Sequence, residues 1–513
     1  AMREGERRFL SAETLLAVSG GVQRGATELM HEQRRRAEWC WAMLSDHAWN
    51  GTDERNKRLN ARLRRQWGEE FLALADEVEK LGWSRIAQSS DSPSVVLFNS
   101  LSFPRRDLVC VTGVEGAEIA GARAGRELLP VQRSSEGDRS AWCFVAPEVP
   151  GFGFRDVALV DVAAPDNPAA RLRATESLLE SPFYRLVPDA KTGGIASLVH
   201  VPSGRELIST DAGRALCQTV YFDGQEHLLG EVRVEPVAVG PVFARLRITG
   251  TATRMTVENL VTVYAELDRV DFEVRVTKQP CGDQERLCHM FPLMAKDATV
   301  RAASGGAVVR PRPQPVGDLL PGADTKRFAV QEFVNVACDD LSVTLVPHDA
   351  FVLRLDLDEL AFEALGNDQN YREVLRDQDG QTQFRFRYSL RAVGGGYRGA
   401  EAIAFARSAA TPLGWQVGRF AMPAGDMPRI EIDPARAVAT CLKPPADPKV
   451  DGVVLRVWET AGQSEPLRIG VSGFARAVVA DLLERDQSPL AIRDGAVEVN
   501  LRPHGYSAVR LAR

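Results

Sequence analysis

Asp379-Gly-Gln-Thr-Gln-Phe-Arg-Phe-Arg-Tyr-Ser-Leu-Arg391 decides the class of most of this chain. Asp-Gly is a tight-turn pair, because glycine supplies the positive φ that a two-residue hairpin turn demands. Directly after it, Phe384, Phe386, Tyr388 and Leu390 alternate with polar residues. A period of two puts those four side chains on one face of a strand and their polar neighbours on the other. The same grammar extends outward. Val232–Val239, Ala244–Thr251, Val261–Val276 and Val352–Leu357 are β-branched runs separated by Gly, Pro and Asp turns, and Val95-Val-Leu-Phe98 opens the series. Few long helical patterns interrupt it, so everything after about residue 90 is expected to fold as β-sandwiches.

The first 90 residues have a different period. Phe9, Ala12 and Leu16 make a short apolar stripe closed by Gly20-Gly21, and a second segment from Ala26 to Trp49 carries Ala37, Trp41, Leu44 and Ala48. The clearest stripe is Leu59, Leu63, Trp67, Phe71, Leu74, Val78 and Leu81, with Thr52 as its expected cap and Gly82 as its expected end. Spacings of three and four predict three amphipathic helices, hence a three-helix bundle. Polar breakers at Gln88–Pro93, Val162–Pro168 and Ala421–Pro428 then suggest four parts: a bundle over 1–90, a small β-domain over 91–168, a large β-sandwich over 169–425 and a C-terminal β-domain over 426–513.

Composition sets outer limits. The 513 residues exceed one ordinary domain, and 44% hydrophobic with 26% charged residues is the balance of a chain that buries large cores. Lys and Arg total 63 against 69 Asp and Glu, a net charge of -6, which gives no electrostatic case for nucleic acid or an anionic membrane. No run reaches the ~18 apolar residues of a membrane span. The eight cysteines (Cys40, Cys110, Cys143, Cys217, Cys281, Cys288, Cys338, Cys441) show no CxxC spacing and read as free, mostly buried thiols in a reducing compartment. With no apolar signal core at the N-terminus, the expected location is the cytoplasm. The opening Ala1-Met2 reads as the scar of a removed affinity tag, which leaves room for a longer natural chain. The lone sequon at Asn50 is no more than chance supplies.

Several words of the sequence are specific. Phe98-Asn-Ser-Leu-Ser-Phe-Pro-Arg105 resembles the "FNPLSFPR" strand that opens the β part of family 38 glycoside hydrolases, the α-mannosidases. Phe183-Tyr-Arg-Leu-Val-Pro-Asp-Ala-Lys-Thr-Gly-Gly-Ile-Ala-Ser-Leu198 followed by Ser203-Gly-Arg-Glu-Leu207 is similar to the hairpin opening that family's large, galactose-mutarotase-like sandwich. Lys326–Val334, Tyr388–Arg391 with Gly394-Gly-Gly396, Leu442-Lys-Pro-Pro-Ala-Asp447 and Leu455-Arg-Val-Trp-Glu-Thr-Ala-Gly462 continue the resemblance in the family's order. In the bundle, Asp46-His-Ala-Trp-Asn-Gly51 looks like the family motif written "EHTWG" or "HHDAITG".

Hydrolysis of an α-mannoside with retention needs a nucleophile and an acid/base, two carboxyl groups about 5–5.5 Å apart. The resemblance implies a zinc ion as well, which takes His nitrogen and Asp oxygen and keeps an open position for the sugar. It places the nucleophile, the acid/base and most zinc ligands on an N-terminal catalytic barrel that would precede residue 3. Within this sequence it leaves one metal ligand, His47, or Asp46 in the "HHD" register, and no catalytic residue. A lone ligand is expected to hold no stable zinc. The implied reading is the non-catalytic, post-barrel part of a retaining zinc-dependent α-mannosidase. Its substrate is a terminal α-mannoside or oligosaccharide, its partner is the missing barrel, and its expected roles are walling the cleft and forming a homo-oligomer interface.

Two rivals stand beside it. One is a stand-alone, barrel-less protein that binds glycans or scaffolds other proteins. The other is a different sugar-active enzyme on a mutarotase-like sandwich, for which Tyr221, His227 and Arg385 are the candidates if they converge. Cys281, Cys288 and His289 have metal-type chemistry but no zinc spacing, and read as buried strand residues. Asp356 and Asp358 alternate on one strand face and read as solvated. Gly394–Gly396 lacks the context of a phosphate loop. His200, His348 and His504 read as structural or surface residues, and Trp142, Trp415 and Trp458 as core rather than sugar platforms.

Overall fold

The computed structural model describes residues 2–19, 27–46, 53–89, 93–114, 118–136, 139–165, 167, 171–209, 213–281, 283–293, 298–311, 318–355, 359–366, 380–421 and 429–513. It is mainly β with few helices, and every strand pair among the described residues is antiparallel. The chain forms two compact units: residues 1–165 together with 399–513, and residues 166–398.

In the first unit, helices α1 (Met2–Val18), α2 (Thr27–Ser45) and α3 (Glu54–Trp83) form the bundle. Phe9, Ala12, Leu16, Ala37, Phe71 and Val78 are buried together, as the stripes predict, while Leu59 at the start of α3 stays exposed. Two expectations at the ends of α3 are corrected. Asp53 is its cap, accepting the Asn56 N–H at 2.9 Å, whereas Thr52 lies outside the described residues. Gly82 does not end the helix but lies inside it, where a Cβ would stand 2.6 Å from Leu15 Cγ. That glycine serves the close approach of α1 to α3.

The same unit holds four larger sheets. The strand Ser94–Asn99 is buried at all six positions, pairing with Gly153–Val160 on one side and Gly414–Val417 on the other. The small β-domain therefore takes a strand from beyond residue 400, although a boundary near 425 was expected to leave that strand in the large sandwich. Helix α4 (Gly399–Ala410), which the β pattern did not predict, also belongs to this unit and buries Ala402, Ile403, Phe405 and Ala406. The C-terminal part pairs Ala437–Lys443, Val453–Glu459, Tyr506–Ala512, Arg476–Ala480 and Asp486–Leu490 in that order.

One cysteine expectation is overturned here. Cys110 on Leu108–Val111 and Cys143 on Arg139–Val145 stand directly opposite in register and form a disulfide. Thirty-three residues of sequence separate them, so no spacing rule exposes the pair; strand pairing does. The other six cysteines are free, as expected.

The second unit is a sandwich around one large core. Its nine-stranded sheet runs Gly230–Val239, Phe243–Ala252, Met255–Tyr264, Val270–Lys278, Gln383–Gly394, Leu341–Pro347, Val334–Ala337, Thr299–Ser304 and Ala307–Val309. A six-stranded sheet that includes Gln218–Phe222 and Arg286–Met290, and a five-stranded one that includes Tyr184–Pro188 and Ile195–His200, complete it. Phe386, Tyr388 and Leu390 face the core as the hairpin reading requires, with Phe384 packed at its margin. The run Val261–Val276 is two strands rather than one, broken at residues 265–269.

Candidate functional site

The family-like words prove to be places where the chain fastens its own backbone. Asn99, fully buried, has Nδ2 within 2.8 Å of the Phe103 carbonyl and 3.1 Å of that of Val149, and its Oδ1 accepts from Leu101 N–H and Arg105 Nε. Arg105 continues the network to Asp107 at 3.2 Å and to the carbonyl of Ser408 in α4 at 3.0 Å. The Phe-Asn…Pro-Arg word thus closes a turn and docks a helix.

Leu442-Lys-Pro-Pro-Ala-Asp447 works in the same way. Arg34 of α2 is buried against Glu13 of α1 at 2.7 Å and donates to the carbonyls of Pro444 (3.0 Å) and Pro445 (3.2 Å). Lys443 pairs with Glu484 at 2.8 Å, and Thr14 donates to the Leu442 carbonyl at 3.1 Å. Burial raises the Glu13 carboxyl above its ordinary pKa, more than Arg34 and Lys443 lower it. The motif is the seam between the bundle and the C-terminal sheet.

Glu459 of Leu455–Gly462 is a buried carboxylate held on both oxygens by backbone N–H groups. With no exposed surface, its Oε1 accepts the N–H groups of Ala461 (3.0 Å) and Gln463 (3.2 Å), and its Oε2 those of Gly462 and His504, both at 2.8 Å. Burial pushes this carboxyl up, but the four backbone donors outweigh it and hold the pKa below the ordinary value. Gly462 sits at φ +73°, and a Cβ there would lie 2.9 Å from His504 Nε2. In Phe183–Leu198, Asp189 accepts from Lys191 N–H and Thr192 Oγ1 and shapes the turn before Gly193, which has φ +73°.

The expected metal ligand His47 lies outside the described residues. Asp46 is exposed just past the end of α2, and its backbone carbonyl accepts from Arg64 at 2.9 Å. Among the described residues no three His, Cys, Asp or Glu side chains are grouped so as to hold a metal ion.

The other candidates separate into core and surface. His289 is fully buried, Nδ1 bonded to Tyr388 Oη at 2.8 Å, and burial pushes its pKa down to about 3. Cys288 beside it is buried with its thiol pushed up to about 12, and Cys281 Sγ lies 2.6 Å from Arg254 Nη1. These three form no metal cluster. His200 bonds Ser203 and His348 bonds Ser389, both as buried structural residues, and His504 is exposed. Trp458 is buried against Tyr506, while Trp142 and Trp415 pack at the edge of a core. Asp356 and Asp358 lie outside the described residues. Tyr221 and His227 do meet, with ring centroids 5.7 Å apart; Tyr221 donates to Glu285 and His227 pairs with Asp223 at 2.7 Å. Arg385 stands elsewhere, exposed on the outer face of the nine-stranded sheet, so the trio does not converge on one site.

That outer face carries a feature no motif announced. A groove of roughly 720 Å³ crosses five strands. Register aligns Thr251, Thr256, Thr277 and Gln383 in one row and Arg233, Thr249, Glu258, Arg275 and Arg385 in the next. Alternation alone could have found these rows, had the strand pairing been known.

No curated protein matches this sequence. Among solved structures, an α-mannosidase from Enterococcus faecalis V583 aligns over 99% of this chain at 15% identity with a TM-score of 0.72. A glycosyl hydrolase family 38 protein from Enterococcus faecalis does so over 99% at 15% identity with a TM-score of 0.74. This chain spans 66% of the first protein's length and 70% of the second's. A putative aldose 1-epimerase from Escherichia coli K12 aligns over 44% of the chain at 14% identity, with a TM-score of 0.28 too low to weigh on function. No described helix is long and apolar enough to cross a membrane. Residues 437–504 match the family described as "Glycosyl hydrolases family 38 C-terminal beta sandwich domain", the stretch that contains Lys443 and Glu459. Residues 437–504 are therefore similar to the C-terminal β-sandwich domain of glycosyl hydrolase family 38, and the chain shares the fold of those two Enterococcus structures.

Proposed function

We propose that this chain is the post-barrel portion of a retaining, zinc-dependent α-mannosidase acting on terminal α-mannosides. The observation that carries the reading is the shared fold over 99% of the chain with an α-mannosidase of which it spans only 66%. The fastening roles of Asn99, Glu459 and the Arg34–Glu13 pair support it, since they spend the most specific residues on architecture rather than chemistry. In this reading the nucleophile, the acid/base and most zinc ligands stand on a preceding barrel, and His47, with Asp46 beside it, contributes one ligand in the longer protein. The domains here would wall the cleft and offer an oligomer interface. The setting is cytoplasmic in the same reading; six free cysteines support that, and the Cys110–Cys143 bridge weighs against it.

The source reading frame upstream of Arg3 tests the proposal. It should continue for the length of a barrel, with a His-x-Asp near its first strand. A start codon within a few residues of Arg3 would sink it. In the longer protein, His47→Ala should lower bound zinc, measured by metal analysis, as well as turnover.

A further inference from the structure

The groove on the outer face of the nine-stranded sheet is not accounted for by any role given so far. Much of the charge in and around it is internally spent. Arg247 pairs with Glu235 and Glu258, each at 3.0 Å, and Arg275 pairs with Glu258 at 3.2 Å and Glu273 at 2.5 Å. What the groove leaves for a ligand is of another kind. Thr251, Thr256, Thr277 and Gln383 are exposed and lie side by side on four adjacent strands, about 4.8 Å apart. Hydroxyls and an amide both donate and accept. On the edge strand, Glu231 stands in the irregularity next to Gly230, the residue opposite Thr251, and Arg233 opens the adjacent row; both are exposed, and neither has an ion-pair partner among the described residues.

The backbone is shaped to put them there. Glu231 holds φ 51°, a conformation uncommon outside glycine, and the pairing register jumps between Gly230 and Arg233. A bulge of this kind re-aims side chains at a strand edge. Arg233, Arg275 and Arg385 line the groove against Glu231 and Glu258, and Arg275 is spent on Glu258. A row of two-way hydrogen-bonding groups flanked by one exposed carboxylate and so near a balance of charge suits a ligand dense in hydroxyls and without charge. A polyanion would instead call for several unspent cations.

We infer that this groove binds a neutral oligosaccharide laid across the strands, with Glu231 accepting from its hydroxyls and Arg233 donating to them. A groove of this chemistry takes such a ligand whether or not the protein hydrolyses mannosides, so the two readings fail separately.

The test is titration of the whole chain with α-mannotriose, maltotriose and cellotriose, followed by ligand-observed NMR. At least one should bind saturably, with a dissociation constant on the order of 1 mM. The pair Glu231→Ala with Arg233→Ala should weaken it about tenfold or more, as should Thr256→Val with Thr277→Val. All these side chains are exposed, so unchanged melting temperatures should accompany both losses. The inference is overturned if none of the three sugars saturates, or if binding survives both variant pairs. It is equally overturned if a sulfated trisaccharide binds more tightly than all three and is released by salt.

Discussion

The Glu459 carboxylate accepts the backbone N–H of His504 at 2.8 Å, joining two turns 45 residues apart in sequence. With Ala461, Gly462 and Gln463 it satisfies four donors from one side chain. Glu459→Gln removes the charge and turns an amide toward N–H groups. Hydrogen bonds to a charged group are worth about 1.5–3 kcal/mol each, so the loss should be about 3 kcal/mol or more. Chemical denaturation checks it, and the variant midpoint should fall clearly below wild type. Because the folded pKa is depressed, this stabilisation is complete above the ordinary pKa of 4.5 and is lost as pH falls through the lower folded value.

The buried Arg34–Glu13 pair predicts an asymmetric series. Arg34→Met alone leaves Glu13 buried opposite an apolar group and should cost about 3–5 kcal/mol. Arg34→Met with Glu13→Leu should recover much of that, less what the unpaired Pro444 and Pro445 carbonyls retain. Equal losses in single and double variants, measured by urea denaturation, would contradict the seam described above.

Two features of the folding pattern were legible in advance for a clear reason. A period of two after Asp379-Gly380 and a period near 3.6 through Trp67, Phe71 and Val78 are set by backbone geometry, and both put their residues in cores. What was hidden depends on partners distant in sequence. Gly82 looked like a helix stop because its contact, Leu15, is on another helix. Helix α4 was missed because its short Ala-rich stripe lies within β-like surroundings. Glu459 was visible only as a letter in a motif; that it binds backbone rather than substrate needed the turn at His504. The groove was illegible altogether, since its rows come from five strands whose register the sequence does not state.

His289 should make stability fall with acid earlier than carboxylates do. Burial lowers its pKa from 6.5 to about 3, so the folded state excludes a proton that the unfolded state takes up. The sign follows: stability from this group is full above pH 6.5 and declines as pH falls toward 3, by about 1.4 kcal/mol per pH unit. Denaturation of wild type and His289→Gln between pH 7 and pH 5 measures it. The variant should show a shallower decline; parallel curves would contradict a neutral, buried imidazole.

The disulfide is checked by counting thiols. Denatured protein without reductant should show six reactive thiols, and eight after reduction. Cys110→Ser with Cys143→Ser should leave the unreduced count at six. Eight thiols before reduction would contradict the bridge.

The most direct measurement is turnover of an aryl α-mannoside by the purified chain, with and without added zinc. The proposed reading puts the nucleophile, the acid/base and most zinc ligands on a preceding barrel, and predicts no turnover above the uncatalysed rate in either condition. Metal-dependent release of the aryl group by this chain alone would contradict it.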